Sequence, residues 1–346
     1  HQFFIEMQNK INLGIIGKNF GYHVIYKSFL KNKKYKIRGF AFKSKKTDKI
    51  KIPNKIKIYS NWKKLILDKK INAVAIAVPP ILHKEILKFA IKNNKHIFCE
   101  KPFTISYKDA NLICNLVKRK KNICHMVNYE FSNIDAFRFF KKNILKNLKI
   151  NKIYLNWIIK LNRRSNSNWK ENHLEGGGII FNYICHSIYY LEFLFGKITS
   201  IKTHISLEKK SKIKTLKGNM FFNTGLTVKL NVKAGQIKRT RPIHELKIFS
   251  KNSNYILKTK LNSLSDQFSL IFIPKNSFKK KKILYENIKK ESDFRIVPTL
   301  VNSKRFSNWI LKDKINSPNF FDAKRIHLII SKMLISSKKK EKIYIN

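Results

Sequence analysis

From Ile11 to Val127 the chain alternates short, nearly continuous apolar runs with segments of helical periodicity, joined by short connections. A continuous apolar run marks a strand covered on both faces, and strands that alternate with helices pair in parallel through helical crossovers. That alternation restricts this part of the chain to a doubly wound α/β sheet of the Rossmann type. Strands are expected at Ile11–Ile16, Tyr35–Phe42, Ile71–Val78, Ile97–Cys99 and Ile123–Val127. Helices are expected from about Gly21 to Leu30, from an N-cap at Ser60 through Ile66, from His83 to Asn93, and from Ser106 to Arg119.

Beyond a helix expected around Ile134–Leu145 the period changes. Alternating strands are expected at Lys152–Lys160, Ile198–Leu207, Met220–Leu230, Glu245–Phe249 and Tyr255–Lys260, interrupted by one helix from Gly177 to Phe195. Alternation of apolar and polar positions belongs to a sheet with one covered face, so an α+β domain with a mostly antiparallel sheet follows. Lys275–Lys282 reads as a loop or hairpin tip, and Val297–Ile310 and Phe321–Ser336 as helices able to pack on either domain. The division expected is a dinucleotide-binding domain over residues 10–128 and a substrate and oligomerisation domain over residues 129–346.

Composition narrows the class. The 346 residues are 43% hydrophobic, enough for two cores. No run of 18 apolar residues is present, which excludes a membrane-spanning helix. His1 to Lys10 has no apolar secretory core. The four cysteines form no CxxC pair, and Cys99, Cys124 and Cys185 lie in apolar runs, which fits a reducing cytoplasm. The net charge of +54 invites a nucleic-acid reading. Against it, lysine outnumbers arginine 64 to 10, asparagine reaches 36 copies, and the lysines spread through every segment. Such a bias follows an AT-rich coding composition, and arginine, the better phosphate reader, is scarce. The field is expected to attract anionic substrates without specifying a nucleic acid.

Chemistry concentrates where strands end. His96-Ile97-Phe98-Cys99-Glu100-Lys101-Pro102 closes an apolar strand with an acid, a base and a proline, and the carboxyl ends of strands are where ligands dock on such sheets. Proline restricts its neighbour and so aims Lys101. Gly14-Ile15-Ile16-Gly17-Lys18-Asn19-Phe20-Gly21 lies between strand and helix, the context of a dinucleotide-binding turn. Its spacing departs from GxGxxG: Asn19 stands where the second glycine belongs, and Gly21 comes one place early. Asn19 tolerates positive φ and is expected to take the turn. The second strand ends in Lys43 and Ser44 with no acid for a ribose 2′-hydroxyl, which favours NADP over NAD.

Ala77-Val78-Pro79-Pro80 with His83, followed by Lys95 to Pro102, resembles the nucleotide-domain signatures of the Gfo/Idh/MocA oxidoreductases. The resemblance continues through Gly176-Gly177-Gly178 and the helix carrying Asn182 and His186, and reaches the closing helix, Pro318 to Ser336. It implies an NADP or NAD cofactor, a sugar, cyclitol or sugar-nucleotide substrate, and a homo-oligomer paired through the second sheet. It further implies that Glu100 holds Lys101 or meets the nicotinamide ribose, and that Val78, Pro79 and His83 line the cofactor groove beside Gly17, Phe20 and Gly21.

Asn182 and His186 are four apart and project from one helix face. With an aimed lysine they suit oxidation of a secondary alcohol: a base takes the hydroxyl proton while hydride leaves the carbon. Histidine, with a pKa near ~6.5, is the natural base. Lys101 would hydrogen-bond the oxygen, and Asn182, which carries no proton to transfer, would orient substrate or His186. The resemblance implies an Asp at the position of Asn182, so the base stays open between His186 and Lys101. Arg163, Arg164 and Trp169 are candidate substrate contacts. No cluster has metal-ligand spacing. The rival function is a redox-silent nucleotide- or sugar-binding relative with a regulatory or scaffolding role.

Overall fold

The computed structural model describes residues 10–42, 50–160, 175–208, 213–235, 241–259, 267–275, 281–286 and 291–346. The chain divides into two compact units. The first comprises His1–Glu130, Asn172–Gly177 and Arg295–His327, and the second Phe131–Glu171, Gly178–Phe294 and Leu328–Asn346.

The first unit is built on six parallel strands: β1 (Ile11–Ile16), β2 (Tyr35–Ala41), β3 (Lys57–Tyr59), β4 (Ala73–Ile76), β5 (His96–Cys99) and β6 (His125–Val127). Their order is β3-β2-β1-β4-β5-β6, which reverses direction between β1 and β4 and opens a crevice at the carboxyl edge there. β3 carries no apolar run, because Lys57 and Ile58 are exposed and Tyr59 alone is buried, so the sequence pattern does not reveal it. The crossovers are α1 (Gly21–Tyr26 continuing through Lys27–Leu30), α2 (Trp62–Leu67), α3 (His83–Lys92) and α4 (Tyr107–Lys118). The Asn61 side chain, not that of Ser60, caps α2 by accepting the Lys64 N–H. Ser106 caps α4 through the Asp109 N–H.

One core runs beneath this sheet, with Ile15, Phe29, Phe40, Phe98 and Met126 meeting Phe306 and Trp309. The last two stand on α7 (Ile296–Lys312), which lies in the first unit despite its place in the sequence. At about 25 cal/mol per Å² of apolar surface removed from water, side chains of this size contribute roughly 1.5–3 kcal/mol each.

The second unit carries nine strands: β7 (Ile150–Lys160), β8 (Ile198–Glu208), β9 (Ile213–Phe222), β10 (Thr227–Gly235), β11 (Ile243–Ser250), β12 (Ser253–Thr259), β13 (Phe268–Pro274), β14 (Lys282–Glu286) and β15 (Ile343–Tyr344). They are ordered β14-β13-β12-β11-β7-β10-β9-β8-β15. β7 and β10 are parallel and every other pair is antiparallel. The strand expected over Met220–Leu230 is instead the junction of β9 and β10. The chain reverses at Asn223–Leu226, where Gly225 takes φ +79° and Phe222 N–H bonds Leu226 O. Helices α5 (Asp135–Asn143) and α6 (Ile179–Ile184 continuing through Cys185–Phe195) belong to this unit. α8 (Phe320–Lys339) is shared, the division falling after His327. Among the described residues no helix is long and apolar enough to cross a membrane.

Candidate active site

Four strand ends of the first unit meet at one edge, three of them carrying predicted residues. β1 ends at Gly17, β4 at Ala77-Val78-Pro79, β5 at Glu100-Lys101 and β6 at Asn128. Gly17 is fully enclosed at φ +122°, and a Cβ there would lie 2.1 Å from the Ala77 carbonyl oxygen. Only glycine fits, as a turn that brings backbone up to a phosphate requires. Gly21 packs the helix onto the sheet, its Cα side facing Ile15 and Ala77. Asn19 does not take the positive φ expected of it; it lies already in the helix's first turn, and Gly17 alone supplies the turn. The first turns of α1 are π-helical over Gly21–Tyr26. Ile25 and Phe29 of this helix are buried in the core.

Val78 and Pro79 are half-buried, but His83 has no exposed surface and touches the groove only through backbone. Its Nε2 lies 2.9 Å from Val78 O and its Nδ1 3.1 Å from Phe103 O. Burial holds this imidazole below the usual histidine range, so it is neutral and donates to one carbonyl at a time. The Cys99 sulfur lies 3.5 Å from Nδ1, and its S–H donates to Glu100 O at 3.3 Å. A second buried imidazole, His327, accepts the Thr104 N–H at 3.3 Å and is pushed down to about 3 by burial. Two neutral rings thus fix the segment that follows Lys101.

Glu100 is buried and Lys101 half-buried. Burial raises the Glu100 carboxyl to about 7, against the opposing pull of the Asn128 amide, Lys101 and Arg295. Arg295, at the start of α7, also places its guanidinium 4.9 Å from the Phe20 ring centroid. Arg295, Asn128, Thr299 and Asn302 were not singled out from the sequence as site residues. The available signal was the rarity of arginine among so many lysines; nothing local marks the other three.

In the second unit Asn182 and His186 are both buried on α6, as their four-residue spacing requires of one face. The helix follows Gly178 at φ +76° and also opens with a π-helical turn. The His186 ring stacks on Phe131 at 4.3 Å and 16°. Phe131 in turn borders His244, which bonds the Tyr190 hydroxyl at 2.9 Å and is held neutral by burial, its pKa about 3. An aromatic bed fixes the plane of the candidate base. Lys101 belongs to the first unit and Asn182 and His186 to the second. Lys43, Ser44, Arg163, Arg164 and Trp169 lie outside the described residues. Among the described residues no group of His, Cys, Asp and Glu could hold a metal ion.

A six-stranded parallel sheet with a glycine turn at its crevice, followed in the same chain by a mostly antiparallel sheet, defines a chain of the doubly wound α/β class. Residues 11–129 match the model of the Gfo/Idh/MocA family, described as an oxidoreductase family with an NAD-binding Rossmann fold. An uncharacterized oxidoreductase of Synechocystis is 30% identical over 155 residues, 43% of this chain and 41% of that protein. The levoglucosan dehydrogenase of Pseudarthrobacter phenanthrenivorans is 30% identical over 154 residues, 42% of this chain and 39% of that protein. The 2,7-anhydro-N-acetylneuraminate hydratase of Escherichia coli is 30% identical over 149 residues, 41% of this chain and 38% of that one. The chain thus spans about two-fifths of the length of these curated relatives. A solved levoglucosan dehydrogenase in complex with NADH matches with a TM-score of 0.79 at 17% identity, over 97% of this chain and 99% of that one. An NAD binding oxidoreductase from Klebsiella pneumoniae matches at 0.76 and 16%, over 97% and 99%. At such identities the likeness shows the fold. The match to the Gfo/Idh/MocA family model thus lies within the first unit.

Proposed function

We propose that the protein is an NAD(P)-dependent oxidoreductase that interconverts a secondary hydroxyl and a ketone on a sugar, cyclitol or sugar-nucleotide derivative. The observation that carries this reading is the carboxyl edge of the parallel sheet, where the Gly17 turn, Val78-Pro79 and Glu100-Lys101 converge beside the reversal of strand order. The residues fit a dinucleotide. Gly17, at φ +122° and packed against the Ala77 carbonyl, admits no Cβ, the condition for a backbone turn that a phosphate can approach, and Val78-Pro79 follow directly on Ala77. When bound, the nicotinamide accepts or returns the hydride.

Lys101 donates a hydrogen bond to the reacting oxygen and stabilises charge that develops on it. His186, held in plane by Phe131, takes the hydroxyl proton, and Asn182 orients substrate or imidazole. Lys43 and Ser44, with no acid at the end of β2, give the preference for NADP over NAD. Arg163, Arg164 and Trp169 remain the candidate substrate contacts. The named relatives act on levoglucosan and on a 2,7-anhydro sugar acid, which supports a carbohydrate-type substrate. A homo-oligomer and a cytoplasmic location complete the reading.

Nicotinamide fluorescence on titration with NADH and NADPH tests the cofactor; binding of neither would leave the redox-silent alternative. Turnover is then read on a panel of sugars, cyclitols and sugar nucleotides. Lys101→Ala and His186→Ala are expected to keep cofactor affinity and lose turnover. Activity retained in both would refute the assigned roles. An acid limb of the parent's pH–rate profile that is kept in the residual turnover of Lys101→Ala and lost in that of His186→Ala would identify His186 as the base.

A further inference from the structure

We propose that Asn128 is a positioning residue for Lys101, acting through the Glu100 carboxylate and held in place by α7. The inference rests on the reading of Lys101 as catalytic. Asn128 follows β6 and is fully buried. Its Nδ2 donates to Glu100 Oε1 at 2.7 Å and to Thr299 Oγ1 at 3.0 Å, while its Oδ1 accepts from Asn302 Nδ2 at 3.0 Å. Its backbone N–H is bound to Cys99 O at 2.8 Å. Both amide hydrogens are therefore committed, and the acceptor is engaged by a donor from α7. A flipped amide would face oxygen to a carboxylate and nitrogen to a donor, so the network admits one orientation.

The carboxylate passes this order on. Glu100 accepts from Asn128 at Oε1, and the backbone N–H of Lys101 also bonds its carboxyl, with the charges of Lys101 and Arg295 nearby and the Cys99 thiol adjoining. Glu100 N–H is itself tied to Ile76 O at 2.9 Å, across to β4. The connection runs from Asn302 and Thr299 to Asn128, to Glu100, to the peptide that carries Lys101. Residues about 170 positions downstream thereby govern where that peptide lies. Aspartate, although isosteric, would have no donor and would set a second carboxylate against Glu100 in a buried place.

The test uses the full chain and needs no substrate. In the parent protein labelled with 15N and with 13C at glutamate carboxyls, the Glu100 signal (assigned through Glu100→Gln) and the Lys101 amide signal are followed against pH. The two are expected to share one midpoint, because the amide donates to the titrating carboxylate. In Asn128→Leu that midpoint rises by about one unit, equivalent to a tenfold loss of the donor's effect. Thr299→Val, which removes only one acceptor, shifts it in the same direction by less. NADH titration runs in parallel: NADH binding by the parent tests the function, and the Lys101 amide tests the positioning. A Lys101 amide that ignores Glu100 in the parent, or midpoints unmoved in both variants, overturns the proposal whatever NADH does. Should Asn128→Leu fail to fold, the parent and Thr299→Val still decide it.

Discussion

Gly17→Ala is the sharpest probe of the crevice. The new methyl would stand 2.1 Å from Ala77 O, 2.7 Å from its carbonyl carbon and 3.4 Å from its Cα. All three are backbone, so no rotamer change relieves the clash. The Ala77 peptide is pinned as well, its N–H bonded to Ile16 O at 2.8 Å, while Gly17 N–H bonds Ala41 O at 2.9 Å. A non-glycine residue at φ +122° costs on the order of 1–3 kcal/mol in backbone strain alone. Forcing two packed strands apart adds roughly 1–3 kcal/mol. The sum, about 2–6 kcal/mol, is a large part of a domain's stability of ~5–15 kcal/mol. Gly21→Ala provides the internal control. Its φ is negative, its nearest neighbour is the Ile15 Cγ2 at 3.3 Å, and alanine's better helix propensity offsets a few tenths of the squeeze. With about 2–4 °C per kcal/mol for a domain of this size, Gly17→Ala lowers the melting temperature by roughly 10 °C and Gly21→Ala by under ~3 °C. Scanning calorimetry of both variants measures this. A Gly17→Ala protein melting within about 2 °C of the parent, or below it less than Gly21→Ala does, would refute the reasoning.

The remaining expectations concern pH and salt. His83, His125, His244 and His327 are buried with pKa values lowered by desolvation, to about 4 for His125 and about 3 for His244 and His327. The unfolded chain binds these protons near ~6.5, so their contribution is full above that pH and is lost as pH falls toward 3, measurable by urea titration across pH 3–7. Glu100 has the opposite sign. Its folded pKa is raised, so stability is full below ~4.3 and lost as pH rises through about 7. Glu100→Gln should therefore melt higher than the parent at pH 8 and show no such gain at pH 4. The charge of +54 predicts binding to random-sequence duplex DNA that vanishes near physiological salt, seen as a steep log–log slope in fluorescence anisotropy. Affinity that survives at that salt would reinstate a nucleic-acid function.

The legible part of the fold is the part written in contiguous residues. β1 is bounded at Ile11 and Ile16 because a strand buried on both faces leaves a continuous apolar run. β13, Phe268–Pro274, is as apolar but is not marked by its surroundings, since no helix follows to frame it and the lysine-rich Lys275–Lys282 reads as a loop. β9 and β10 merged because their alternation runs on through a turn whose one marker is Gly225. Lys101 and the Asn182/His186 spacing stand out in the sequence, as each is a local signature. The network beneath Lys101 does not, because Asn128 meets Thr299 and Asn302 only after α7 has folded onto the sheet. Local pattern reports the candidate groups; what holds them is set by tertiary contact.

With 20 acids among 74 cations, each acid is worth reading for what it holds. Asp68 takes the Lys70 N–H, Asp322 the Asn319 N–H at the start of α8, and Glu100 the Asn128 amide. Glu192 makes the case testable. Its side chain is largely buried; Oε1 accepts the Ile198 N–H at 2.9 Å, and Oε2 pairs with Lys197 at 3.2 Å. The first bond satisfies a backbone donor at the α6–β8 connection, just after Gly196 turns at φ +95°. The second reaches a lysine whose side chain is 57% exposed, and ion pairs of that kind contribute about 0–1 kcal/mol. Glu192→Gln keeps the acceptor and should cost under ~1 kcal/mol, whereas Glu192→Ala orphans the Ile198 N–H and should cost roughly 1–3 kcal/mol. Lys197→Ala should match the glutamine variant. Urea denaturation of the three measures the order, and an alanine variant no weaker than the glutamine one would show that Glu192 acts only as a counter-charge.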